Sequence, residues 1–423
     1  MVASVSALTS SGQAASYYES TGEYYADGGQ SPSEWQGKGA EALGLSGDVD
    51  RDQFRDLLDG KVADQQLGTT RDGKLEHRPG WDVTLSAPKS VSIMAEVAGD
   101  RRLIAAHSAA VKTALVHVEQ HMSATRVRDG GAVNREATGN LVIASFQHGT
   151  SRAQDPQLHT HNVVLNATKG EDGTWRSLEP RAIYQLQKQI GAIYRQELAL
   201  KVRELGYEIE TGKGSMFEIK GVSGDVLAAF STRSAEIEAA LGTRGTTRDE
   251  ASAAEKQVAA LDTRQAKVAA DPAALVADWR ETATAAGFGA EARLAMVKEA
   301  EAVAISPDHR ANMELQGDSA ACRAVAHAAD KLGERQSVFS VAALHEEAGR
   351  VGLGKVSYAQ ISDAIAAAAK QGQLIDRTHI DRRGAEFAGF TTRFNVETET
   401  KMLRIEAEGR GTLSPIASPL AAA

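Results

Sequence analysis

Cysteine is nearly absent. Cys322 stands alone in 423 residues, which excludes an internal disulfide and a thiolate-rich metal centre and fits a reducing compartment. Long apolar runs are missing as well, so no membrane span is expected. The opening Met1-Val2-Ala3-Ser4-Val5-Ser6-Ala7-Leu8-Thr9 has neither the basic start nor the long apolar core of a secretory signal and reads as a first strand. An excess of positive charge is lacking too: 47 Lys and Arg face 56 Asp and Glu, a net charge of −9. That argues against a generally basic, non-specific binder of nucleic acid and leaves a confined cleft, or no nucleic acid at all. No ATP site is expected either. Gly349-Arg350-Val351-Gly352-Leu353-Gly354-Lys355-Val356 nearly matches a phosphate-binding loop, but Val356 occupies the place of the magnesium-binding Ser or Thr and a helix precedes it, so it reads as a turn.

What remains is ordinary for a soluble globular chain, with 42% hydrophobic and 24% charged residues and length enough for two or three domains. The most informative feature is His159 and His161 in Gln157-Leu158-His159-Thr160-His161-Asn162-Val163-Val164-Leu165-Asn166. Alternate side chains of a strand share a face, so the two imidazoles project together while Leu158 and Thr160 take the other side. Leu141-Val142-Ile143-Ala144-Ser145-Phe146-Gln147-His148 reads as a second strand, and Gly149 to Pro156 as a polar connection. An antiparallel hairpin would set His148 across from the His159/His161 stretch. Three imidazoles without thiolate or carboxylate suit a divalent ion that keeps coordination positions open for a substrate oxygen. The alternative is a pair of histidines on an exposed strand with no metal.

The eight tyrosines are unevenly spread. Tyr17, Tyr18, Tyr24 and Tyr25 make up half of them within nine residues. Each has a counterpart seven positions on, nearly one face of a continuous helix and a rise of about 10.5 Å, although Gly22 interrupts the run. Such residues dock a terminus onto a core, or they are nucleophiles. A phenol, with a pKa of about 10, attacks phosphorus well only when a cation polarises the phosphate and a base takes its proton. Asp82 begins an alternating strand, Asp82-Val83-Thr84-Leu85-Ser86, where a carboxylate can serve a tyrosine hydroxyl or the N–H of a ligand histidine. Its other reading is a strand-end residue in solvent.

Alternating and apolar runs dominate to about residue 167, with an amphipathic stretch from Arg101 to Met122, which predicts an α+β fold: an antiparallel sheet with helices packed on it. From about Pro180 the pattern turns helical, in Tyr184–Leu205 and Arg248–Gly287. Ile305-Ser306-Pro307-Asp308 and Leu315-Gln316-Gly317-Asp318 suggest a linker over 301–318. Two helices, Val338–Ala348 and Ser357–Gln371, then precede strand-like Leu374–Arg377 and Glu386–Arg393. The end, 396–423, reads as a disordered tail or the start of a further region.

Several segments together resemble the MobF class of conjugative relaxases, the TraI/TrwC type within the HUH endonuclease superfamily. They are Ala15-Ser16-Tyr17-Tyr18 with Tyr24-Tyr25, Trp35-Gln36-Gly37-Lys38-Gly39-Ala40, Leu85-Ser86-Ala87-Pro88-Lys89-Ser90-Val91-Ser92, Thr138-Gly139-Asn140-Leu141-Val142, and Thr150-Ser151-Arg152 through Pro156-Gln157-Leu158-His159-Thr160-His161. The ordered set is specific where no single motif is. The resemblance implies an HUH/RRM-like sheet palm over about 1–180, helical fingers over about 181–300 and a small winged-helix-like unit over 319–395 that precedes a helicase in the family. That helicase is missing from this chain.

The resemblance further implies nicking of one strand at a plasmid transfer origin through a 5′-phosphotyrosine intermediate, with later rejoining. Tyr17 matches the first nucleophile and Tyr24 the tyrosine of a second transesterification; Tyr18 and Tyr25 match their neighbours. His148, His159 and His161 match the metal ligands, Asp82 the acidic residue beside them, and Arg152 a basic residue that holds a phosphate oxygen. The implied cofactor is a divalent ion, Mg²⁺ or Mn²⁺ in use with Zn²⁺ or Ni²⁺ as alternatives. The implied partners are transfer-origin DNA as hairpin or duplex plus single strand, relaxosome accessory proteins and a type IV coupling protein. The implied location is the bacterial cytoplasm, with translocation into a recipient cell alongside the transferred strand. Two rivals stay open: a metal-dependent nuclease that uses water, and a non-catalytic, sequence-specific DNA-binding module.

Overall fold

The structure, a computed structural model, describes residues 3–12, 14–15, 32–263, 271–380 and 386–412. The chain divides into two compact units, 1–312 and 313–423. The first is built on a five-stranded antiparallel sheet. Its strands are β1 (Ala3–Ala7), β2 (Ser33–Gln36), β3 (Gly80–Ser86), β4 (Ile143–Thr150) and β5 (Pro156–Leu165), in the order β1-β3-β5-β4-β2. The sequence expectation of an antiparallel α+β palm is met, with the opening segment as an edge strand.

Period-two alternation assigns the two faces. Leu158, Thr160, Asn162 and Val164 of β5 look one way, toward α3 (Arg102–Met122), whose His107 reaches Thr160. That helix buries Leu103, Ala106, His107, Ala110, Val111, Ala114 and Leu115, a stripe of three- and four-residue steps. α4 (Gln187–Glu204) packs on the same side, its Gly191 lying against Ala3 of β1. The opposite face begins apolar: Trp35, Ala144, Phe146, Val163 and Leu165 join a core with Phe54, Leu57 and Leu58 of α1 (Arg51–Leu58). Asp50 caps α1 by accepting hydrogen bonds from the N–H groups of Asp52 and Gln53. Farther along this same face, the positions continuing Ala144-Phe146 and Val163 are His148, His161 and His159, and there the apolar cover gives way to imidazole.

Beyond the sheet come α2 (Lys89–Glu96), between β3 and α3, and then the helical segment that includes α5 (Thr232–Gly242) and α6 (Pro272–Ala285). α7 (Ala290–Ile305) and α8 (Pro307–Gly333) follow almost without a break. Residues 301–318, read from the sequence as a linker, are thus largely helical, and the division between units at 312/313 falls inside α8. The signal misread was Ser306-Pro307. Proline at the first position of a helix loses no intrahelical hydrogen bond and starts α8 rather than opening a loop.

In the second unit, residues of α8 pack with α9 (Val341–Val351) and α10 (Tyr358–Lys370) around Ala324, Val325, Ala328, Leu344, Ile361 and Ile365. A three-stranded antiparallel sheet closes it, with β6 (Phe339–Ser340), β7 (Leu374–Ile380) and β8 (Glu386–Thr392) in the order β6-β8-β7. Gly352–Lys355 form the turn between α9 and α10, where the sequence placed a turn rather than a phosphate loop. α11 (Arg393–Gly409) occupies the first half of the stretch expected as a tail. Thr392 caps it through the Asn395 N–H, and Glu406 pairs with Arg410 one turn on. Among the described residues no helix is long and apolar enough to cross a membrane.

Candidate active site

The site forms where three central strands present alternate residues on the imidazole face. His148 of β4 is directly opposite His159 of β5, and His161 is opposite Thr84 of β3. The ring centroids of His148, His159 and His161 lie 5.1–5.4 Å from one another. A metal about 2.1 Å from each ring nitrogen, with tetrahedral angles, sets ring centres about 5.2 Å apart, so the spacing is that of a ligand set. Among the described residues no three donor groups yet meet at bonding distance. Rotation about the Cβ–Cγ bond swings the nitrogens while the centroid hardly moves, so the ring spacing is compatible with a ligand set.

Hydrogen bonds fix which nitrogen faces the site. His159 Nδ1 lies 2.8 Å from the Gln157 carbonyl oxygen, which can only accept, so Nδ1 carries the proton and Nε2 the lone pair. His161 Nδ1 lies 2.7 Å from Asp82 Oδ2, with the same consequence. Asp82 is 7% exposed and so is not the solvated strand-end residue of the alternative reading. Of the two roles the sequence allowed it, the structure shows the contact with a histidine N–H. Thr84, which the sequence reading passed over, donates from Oγ1 to Asp82 Oδ1 at 3.1 Å and lies 3.1 Å from His161 Nδ1. Its signal was available: Thr84 sits two residues from Asp82 on the same strand face.

A second buried network lies behind the sheet and was also missed. His107 bridges Tyr194 Oη at 2.7 Å and Thr160 Oγ1 at 2.8 Å, and Thr160 separates the two histidines of β5. Burial, reinforced by His159, pushes the His107 imidazole down to about 3, so it is neutral. The strand between His159 and His161 is thereby tied to α3 and α4.

Arg152 lies in the tight connection between β4 and β5, half-buried. Ser151 and Asp155 close that loop, with the Ser151 N–H donating to the Asp155 carbonyl at 2.9 Å and the Asp155 N–H donating to Ser151 Oγ at 3.1 Å. Tyr17, Tyr18, Tyr24 and Tyr25 lie outside the described residues. The structure therefore brings together His148, His159, His161 and Asp82, and puts Arg152 on the loop joining the histidine strands. A polar cavity lined by Glu34, Lys112, Ser145 and Gln147 opens elsewhere, with Thr160 in its wall, on the sheet face opposite the imidazoles.

With this geometry in hand, the comparisons with known proteins are specific. The TrwC relaxase family model matches residues 11–286. The chain is 43% identical over 296 residues to the multifunctional conjugation protein TraI of Escherichia coli strain K12, covering 67% of this chain and 16% of that protein. A second TraI from Escherichia coli is 41% identical over 355 residues, 80% of this chain and 19% of that protein. The chain thus spans less than a fifth of the length of these curated relatives. A metal-bound structure of the conjugative relaxase TrwC in complex with oriT DNA superposes with a TM-score of 0.63 at 42% identity, covering 67% of this chain and 98% of that one. The chain belongs to the TrwC relaxase family.

Proposed function

We propose that this chain is a DNA relaxase, a site- and strand-specific endonuclease and strand transferase that nicks plasmid transfer-origin DNA through a tyrosine and later rejoins the strands. The observation that carries the reading is the three-imidazole cluster, with Asp82 holding one ring, on the sheet of a TrwC-family chain.

His148, His159 and His161 would hold a divalent ion, and their donor set accepts Mn²⁺, Zn²⁺ or Ni²⁺ more readily than Mg²⁺. When bound, the ion supplies positive charge to the scissile phosphate. Asp82 keeps the His161 ring oriented and its Nε2 unprotonated, a positioning role that raises ligand basicity. Arg152 would hold a non-bridging phosphate oxygen through its guanidinium. Tyr17 would attack in line: its oxygen gains a bond to phosphorus, its proton passes to a base, and the 3′ oxygen leaves and takes up a proton. One phosphodiester is exchanged for another, so the later rejoining needs no ATP. Tyr24 would perform the second transfer, with Tyr18 and Tyr25 beside the two nucleophiles.

In this reading residues to about 180 are the palm, and 181–300 are fingers that close over DNA. The second unit is winged-helix-like and contacts DNA or a protein partner. Relaxosome accessory proteins and a type IV coupling protein are the partners in a bacterial cytoplasm, and the protein travels with the transferred strand. The test is the chain mixed with a labelled transfer-origin oligonucleotide and Mn²⁺. Tyr17→Phe is expected to lose the covalent adduct while still binding DNA. Cleaved DNA without an adduct would indicate a water-using nuclease, and binding without cleavage a non-catalytic module.

A further inference from the structure

The loop between the two histidine strands is held from outside the sheet. Its tip carries Gln154 at a left-handed φ of 62°, a conformation that a side-chain-bearing residue keeps only when its surroundings hold it. The Trp279 indole N–H, from α6, donates to the Gln154 carbonyl at 2.7 Å. Thr232 Oγ1, at the start of α5, donates to Asp155 Oδ1 at 2.9 Å. From the other side Lys89 Nζ donates to the Pro156 carbonyl at 3.0 Å.

Two details mark these as loop-directed contacts. α5 has no side-chain cap of its own at Ser231, and the hydroxyl of its first residue, Thr232, is spent on the Asp155 carboxylate from a distant part of the chain. α6 buries only Trp279 and Ala283 of its fourteen residues, so the side chain that seats this helix is the one whose N–H meets Gln154.

We propose that Trp279 and Asp155 are positioning residues for Arg152. The helices α5 and α6 hold the 151–155 loop so that the Arg152 guanidinium meets the scissile phosphate, and the helical segment thereby sets the geometry of phosphate capture. This rests on the relaxase reading given above. A phosphate-holding group displaced by about an ångström loses much of its contribution to the rate without losing the DNA, which is bound over a far larger surface.

The test is a double-mutant cycle in the full chain. Trp279→Phe keeps the ring and removes only the donor; Asp155→Asn keeps one acceptor oxygen and removes the charge. Each is made alone and together with Arg152→Ala, and adduct formation is timed at saturating labelled transfer-origin oligonucleotide with Mn²⁺, alongside oligonucleotide affinity. Trp279→Phe is expected to slow adduct formation about tenfold with affinity within about twofold, and to add nothing once Arg152 is alanine. Asp155→Asn is expected to follow the same pattern. An undiminished rate for both variants overturns the proposal, as does the same tenfold loss with and without Arg152, which would mean a general effect on folding. If the unaltered chain forms no adduct, the relaxase reading itself falls and this inference with it.

Discussion

Asp82 acts on the site through a single ring nitrogen. By accepting a hydrogen bond from His161 Nδ1 at 2.7 Å it leaves the lone pair on Nε2, the atom that would meet a metal, and removing it leaves that ring to rotate and to change tautomer. Asp82→Ala is expected to weaken Mn²⁺ binding by about 10–100-fold in a calorimetric titration, and an unchanged affinity would contradict this. Glu96 offers a second prediction at this scale. Its carboxyl lies so close to Gly149 that an added Cβ there would stand 2.7 Å from Oε1. Burial, opposed by Arg101, raises its pKa from 4.5 to about 7. Between those values the folded protein holds a proton that the unfolded chain has released. The contribution of Glu96 to stability is therefore fully present below about pH 4.5 and is lost as pH rises through about 7. Glu96→Gln, which mimics the protonated group, is expected to melt higher than the unaltered chain at pH 8 and at about the same temperature at pH 4.5. An equal difference at both pH values would show that the ionisation is not the cause.

At the scale of elements, two segments that carried the family resemblance turn out to meet. The Lys38 N–H donates to Glu119 Oε1 at 2.7 Å, the Leu141 N–H donates to the same oxygen at 2.9 Å, and the Gly39 N–H donates to the Leu141 carbonyl at 2.9 Å. Trp35-to-Ala40 and Thr138-to-Val142 are thus stapled to α3 through one buried carboxylate. A Cβ on Gly39 would lie 2.6 Å from the Leu141 oxygen, with backbone rather than a flexible side chain in the way. Gly39→Ala is expected to cost about 1–3 kcal/mol in urea unfolding, and a loss under about 0.5 kcal/mol would contradict the staple. The sequence carried the histidine hairpin well, because period two and a short polar loop leave little freedom in where His148 falls. It failed where local signals have two meanings. Ser306-Pro307 starts a helix as readily as a loop. Arg393–Gly409 reads in large part as a tail, and the helix it forms buries no residue. The clamp on the 151–155 loop was out of reach, since Trp279 and Gln154 are 125 residues apart.

For the whole molecule, the net charge of −9 was the least informative number, because phosphate contacts depend on where cations stand rather than on their sum. The family match ends at residue 286, inside the first compact unit, and every site residue named above precedes that point. A chain shortened to residues 1–312 is accordingly expected to form the adduct at an undiminished rate, measured against the full chain on the same oligonucleotide; loss of the adduct would place part of the chemistry in the second unit. The central claim is that a tyrosine of this chain takes the scissile phosphate beside the three histidines. It is tested most directly by denaturing gel analysis of the protein with a labelled single-stranded transfer-origin oligonucleotide, with and without Mn²⁺, followed by mass spectrometry of the shifted band. The account predicts a metal-dependent covalent adduct on Tyr17 or Tyr24 that vanishes when His159 and His161 are both replaced by alanine. Cleavage that releases free 5′-phosphate ends, or an adduct indifferent to metal and to both histidines, would contradict it.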